Sequence, residues 1–86
     1  MELYGKAYIM QSLNAFVKAK RKEADLTQQA LAEKAGVALT VIRKIEQGKH
    51  DLQLEKVNQV LRMFGHVLAP VHLKKLRSDE TSQDIL

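Results

Sequence analysis

The chain has no cysteine and no tryptophan, one proline, two tyrosines and two phenylalanines. Without cysteine there is no disulfide framework, no thiolate nucleophile and no thiolate metal ligand. The three histidines, His50, His66 and His72, are scattered on or after loops with no orienting partner in view. That argues against a zinc site and against a histidine base. No Ser/His/Asp set, carboxylate pair or Gly-rich phosphate loop is present either, so an enzyme is not expected and no cofactor is implied. No apolar run approaches the roughly 20 residues that span a bilayer, and the N-terminus lacks the pattern of a signal peptide. The chain reads as cytoplasmic, with no membrane partner.

What remains is a small basic protein. Eighty-six residues make one domain near the size at which a single core becomes marginal, so self-association is a reasonable expectation. The net charge of +4 is the bias of a phosphate-binding surface, though many unrelated proteins share it.

The informative stretch is Leu26 to Gly48, LTQQALAEKAGVALTVIRKIEQG. Thr27 is placed to cap a helix over Gln28 to Lys34, on which Leu31 and Ala35 share a face. Gly36 follows, where a chain leaving a helix adopts a left-handed conformation that costs glycine nothing. Val37 plugs the turn, and a second helix is predicted from about Ala38 to Gln47, with Val41, Ile42 and Ile45 inward and Gly48 as its stop. Two short helices joined by a Gly-containing turn make the DNA-binding helix-turn-helix, whose second helix lies in the major groove. An ordinary helical hairpin shares the Leu, Ala and Ile spacing. It does not require Gln28, or the Glu46-Gln47-Gly48 ending.

The series Ala32, Gly36, Val37, Ile42 and Ile45, preceded by Gln28, resembles the Cro/C1-type helix-turn-helix of phage and bacterial repressors. Ala32 falls where the two helices cross, so a larger side chain would separate them. The resemblance spans about Leu13 to Phe64. It implies an ion pair between Arg21 and Glu46, charge-assisted and bidentate in form, tying the first helix to the recognition helix.

Around this motif, residues 1–9 form an N-terminal lead, either a short helix or a flexible arm, and 10–65 the helix-turn-helix domain. A first helix is predicted over roughly Met10 to Ala24, with Leu13, Phe16, Val17 and Ala24 inward and Lys18, Lys20 and Lys22 outward. A fourth runs from Leu54 to Phe64, with Leu54, Val57, Val60, Leu61 and Phe64 inward and Gly65 at its end. The stretch 66–73, HVLAPVHL, is short and Val-rich, as a strand would be, and Pro70 bars it from a sheet centre. Val67, Ala69 and Val71 would lie on one face, Leu68 and Pro70 on the other. A lone strand has no partner in its own chain, so the expectation is pairing with a second copy. Residues 74–86 read as a flexible tail. The expected fold is therefore all-α, a lambda-repressor-like bundle of four main helices plus a C-terminal strand pairing across a homodimer.

DNA contacts follow from helix geometry and the family's pattern. Gln28, and more weakly Gln29, start the second helix where backbone N–H groups and a side-chain amide can meet a phosphate. Ala38, Leu39, Thr40, Arg43 and Lys44 are expected to project into the groove. Arg43 is the best base reader, its fork matching guanine O6 and N7. Ala38 and Leu39 suit thymine methyls, Thr40 a base or phosphate, and Lys44 and Lys49 phosphates. The partner implied is double-stranded operator DNA with an inverted repeat.

A Cro/C1 domain followed by Gly-x-x-Leu and a C-terminal strand is similar to the HipB class of antitoxin regulators. That resemblance implies an autoregulatory repressor with a HipA-like kinase toxin as partner. One departure is plain: the best-known member of that class ends in a Trp that inserts into its toxin, and this chain has no Trp. That argues against engagement of a toxin through the tail. The alternatives are a free-standing phage-type or restriction-modification controller repressor, and a protein-interaction module that does not bind DNA. Arg43 and Lys44 on the groove face argue against the last.

Overall fold

A computed structural model describes residues 12–76. Four helices carry the architecture: α1 (Leu13–Glu23), α2 (Gln28–Ala35), α3 (Leu39–Glu46) and α4 (Leu54–Arg62), followed by a single helical turn, α5 (Leu73–Leu76). α3 is the hub, packing on α1, α2 and α4, while α2 also meets α4. Their inward stripes converge on one core of Val17, Leu31, Ala32, Ile42, Ile45, Val57, Val60 and Leu61. Leu31 and Ile42 are entirely buried, and Ala32 nearly so, as a close helix crossing requires.

All four helices leave by the same device. The N–H groups of Asp25, Gly36, Gly48 and Gly65 donate to carbonyls three residues back, and the following N–H groups of Leu26, Val37, Lys49 and His66 reach carbonyls five back. This Schellman turn satisfies carbonyls that the helix end would otherwise orphan. It needs a left-handed residue, supplied by glycine at three ends and by Asp25, with φ 59°, after α1. Thr27 caps α2 as expected, its hydroxyl accepting from the Ala30 N–H at 3.0 Å.

Several boundaries differ from the sequence reading. α1 starts at Leu13, with Ser12 as its N-cap, and Ala24 is an exposed C-cap and not a core residue. The expected lead, 1–9, and the start of that helix lie outside the described residues. α3 is one residue shorter at each end, with Ala38 and Gln47 as caps. Leu54, expected inward, is 70 % exposed. As the first residue of α4 its side chain tilts back toward the N-terminus, beyond the turns that pack.

The strand expected over 66–73 is not formed: no strand occurs among the described residues, 66–72 are irregular, and Leu73 opens α5. A ladder needs a second edge, and one chain offers none here. The segment is instead tied back to the helices. The Leu68 N–H donates to Asn58 Oδ1 at 2.7 Å, and the His66 ring lies against Phe16 at 4.6 Å between centroids. An open apolar groove of about 330 Å³ runs beside it, lined by Leu13, Phe16 and Leu61 together with residues 66–69. Of the expected tail, 74–86, residues 77–86 lie outside the described residues.

Candidate nucleic-acid interface

The candidate interface centres on α3, whose last residue ties it to α1. Arg21 on α1 grips Glu46 with two hydrogen bonds, Nε to Oε2 at 2.7 Å and Nη2 to Oε1 at 3.0 Å. The third guanidinium nitrogen, Nη1, donates to the Leu26 carbonyl at 2.9 Å. Gln28, at the start of α2, donates from Nε2 to Glu46 Oε1 at 3.1 Å. The side chains of Arg21 and Glu46 keep 12 % and 5 % of their exposure. Burial pushes the Glu46 carboxyl up. The hydrogen bonds from Arg21 and Gln28, with the charges of Arg21 and Lys18, outweigh it and hold the group below the ordinary carboxylate range. The expected pair is therefore present in bidentate form, and Gln28 joins it, so three helices are pinned at one carboxylate.

With Ile42 and Ile45 fixed inward, the residues one turn apart on the opposite side are Thr40, Arg43 and Lys44 of α3 and its C-cap Gln47. Thr40, Arg43 and Gln47 are exposed, as is Ala38 at the N-cap. Among the described residues, the Arg43 side chain makes no hydrogen bond or ion pair, so its guanidinium is free to engage a ligand. Lys44 is different: its ammonium pairs with Asp51 Oδ2 at 2.8 Å. Leu39 is half-buried against the core, so it offers the groove only part of a side chain. The sequence reading omitted Gln47. Its spacing from Thr40 and Arg43 is the available signal, masked by its place at the helix end.

At the start of α2 the N–H groups of Gln28 and Gln29 have no acceptor among the described residues. Free N–H groups at a helix N-terminus suit an anion. The Gln28 amide nitrogen is committed to Glu46, and the Gln29 amide to Glu33 at 3.0 Å. Backbone groups therefore dominate this end, with the side-chain amides in support. Lys49 is exposed just past α3 and offers a further cation there. The candidate dimer residues Val67, Leu68, Ala69 and Val71 are all exposed, and stand apart from this surface beside the α1–α4 groove.

A free arginine on a projecting helix, flanked by N–H donors and a lysine, can read a base edge while neighbouring groups hold phosphates. Comparison with known proteins points the same way. The profile of the helix-turn-helix family matches residues 17–67. The chain is similar to an uncharacterized HTH-type transcriptional regulator, y4mF, of Sinorhizobium fredii (strain NBRC 101917 / NGR234). The two are 42 % identical over 66 residues, covering 73 % of this chain and 87 % of that protein. No solved structure matches significantly.

Proposed function

The chain belongs to the helix-turn-helix family of transcriptional regulators, a non-enzymatic family, and from that premise we propose that it is a sequence-specific repressor acting in the cytoplasm. The observation that carries this reading is the exposed stripe of Thr40, Arg43 and Gln47 on a helix locked by Arg21 and Glu46. α3 enters the major groove, Arg43 reads a guanine, and Ala38, Thr40 and the exposed part of Leu39 meet neighbouring base edges. The N–H groups of Gln28 and Gln29, with Lys49, hold phosphates. Two copies joined through the 66–73 segment present two such helices to successive grooves, so the operator is an inverted repeat.

Selection from a random duplex pool tests this. An inverted repeat with half-site centres about one helical turn, or a small multiple, apart is the expected product. Arg43→Ala should erase the preference for it over scrambled duplex, whereas Lys49→Ala should weaken both alike and flatten the salt dependence. Equal loss on both duplexes for Arg43→Ala would remove it as a base reader.

The finer reading is an autoregulatory antitoxin of a HipA-like kinase toxin, supported by the order of helix-turn-helix, Gly-x-x-Leu and apolar C-terminal segment. Its test is whether a kinase-like reading frame neighbours the gene, and whether the two products co-purify. Absence of both favours the free-standing controller repressor.

A further inference from the structure

Of the cations on the DNA-facing side of α3, one is already occupied. Lys44 shares a stripe with Thr40, Arg43 and Gln47, and its ammonium sits 2.8 Å from Asp51 Oδ2. Asp51 lies in the link between α3 and α4, at the mouth of a depression of about 250 Å³ that Thr40, Lys44 and Lys56 also border. Both partners are solvent-accessible, the Lys44 side chain 44 % and that of Asp51 69 % exposed. Such a pair adds little to folding. Its effect falls on what Lys44 is available to do.

We propose that Asp51 is an affinity-limiting residue of the DNA interface: it holds the Lys44 ammonium off the phosphate backbone and so keeps one cation per subunit out of the complex. The proposal rests on the DNA-binding reading given above. A carboxylate and a phosphate oxygen are alternative partners for the same ammonium, since both are anionic acceptors of charge-assisted hydrogen bonds. The charge of Asp51 also reaches Lys49. A negative group here therefore restrains the sequence-independent part of binding and leaves Arg43, which has no such competitor, to decide where the protein sits. The separation matters because phosphate contacts strengthen all sites alike, while base contacts strengthen one.

The test uses the full chain and a mixed-sequence duplex a few helical turns long, with affinity measured across a salt series. Asp51→Asn removes the charge at constant shape, and circular dichroism checks that the fold is retained. The expected result is several-fold tighter binding at low salt. The slope of log affinity against log salt should steepen by about 0.9 per bound subunit, the signature of one added phosphate contact. In a Lys44→Ala background the same substitution should give no steepening, and Lys44→Ala should cost more affinity in Asp51→Asn than in the wild type. An unchanged affinity and slope in Asp51→Asn, or an equal gain with Lys44 absent, would overturn the proposal while leaving DNA binding in place. Failure of both wild type and Asp51→Asn to bind duplex at low salt would overturn the DNA-binding reading itself.

Discussion

At Glu46 three side chains from three helices meet, and the physics of that one carboxylate decides how firmly the recognition helix is held. Removing it leaves the Arg21 guanidinium, 12 % exposed, with a single remaining acceptor at the Leu26 carbonyl. Breaking one side of a buried pair costs about 3–5 kcal/mol, and residual exposure places Glu46→Ala toward the lower end. A denaturant midpoint measures the loss, and a double-mutant cycle with Arg21→Ala measures the coupling; a coupling of zero would mean that the pair contributes nothing. The same carboxylate predicts a pH dependence. Its folded value lies below the ordinary 4.5, so the unfolded chain binds the proton more readily. The stabilisation is complete above about pH 5 and is lost as pH falls through the folded value. Glu46→Gln should therefore flatten this part of the acid limb. An unaltered limb would assign the dependence to other carboxylates.

The turns that end the helices invite a pair of substitutions with opposite signs. Asp25 holds a left-handed conformation, φ 59°, that costs a residue with a Cβ about 1–2 kcal/mol, less for Asp than for most. Asp25→Gly relieves that strain and removes an anion from the negative end of α1, so a gain of about 0.5–1 kcal/mol is expected. Gly36 is the mirror case. A Cβ there would sit 3.6 Å from Gln59 Nε2, an ordinary contact, so Gly36→Ala loses only through its φ of +76°, by about 1–2 kcal/mol. Thermal melting separates the two, and a lower melting temperature for Asp25→Gly would contradict the account. These turns also mark what the sequence made legible. Three of the four carry glycine and were readable as helix stops, and the inward faces of α2, α3 and α4 followed from their spacing. The fourth turn was hidden because Asp25 does a glycine's task, which let the first helix be extended to Ala24. Periodicity reports faces and not ends, so it puts Leu54 in the core and Leu39 outside it, whereas Leu54 is exposed and Leu39 half-buried. The Arg21–Glu46 pair came from resemblance, since 25 residues of separation carry no local signal. The Lys44–Asp51 pair depends on the path of a link, which no pattern encodes.

For the molecule as a whole, the open question is what the C-terminal segment does with its apolar surface. Val67, Val71 and Leu73 are 58 %, 43 % and 43 % exposed, a concentration of apolar area that a small domain gains by covering. Residues 66–72 are irregular and form no ladder among the described residues, so any pairing with a second copy would have to be made on association. If pairing joins two subunits, both half-sites of an operator are engaged together, and affinity exceeds that of one subunit by orders of magnitude. Deleting everything after Gly65 should give a monomer that binds the operator weakly. Because that deletion also strips the bond from Leu68 to Asn58, a second variant is needed in which the segment stays in place. Val71→Asp in the full chain puts a charge on the exposed apolar segment. It should sediment as a folded monomer at concentrations where the wild type is expected to sediment as a dimer. Deleting only Ser78 to Leu86 should leave dimer and DNA binding intact. A Val71→Asp protein that remains dimeric, together with a dimeric truncation at Gly65, would place the interface on the helices instead.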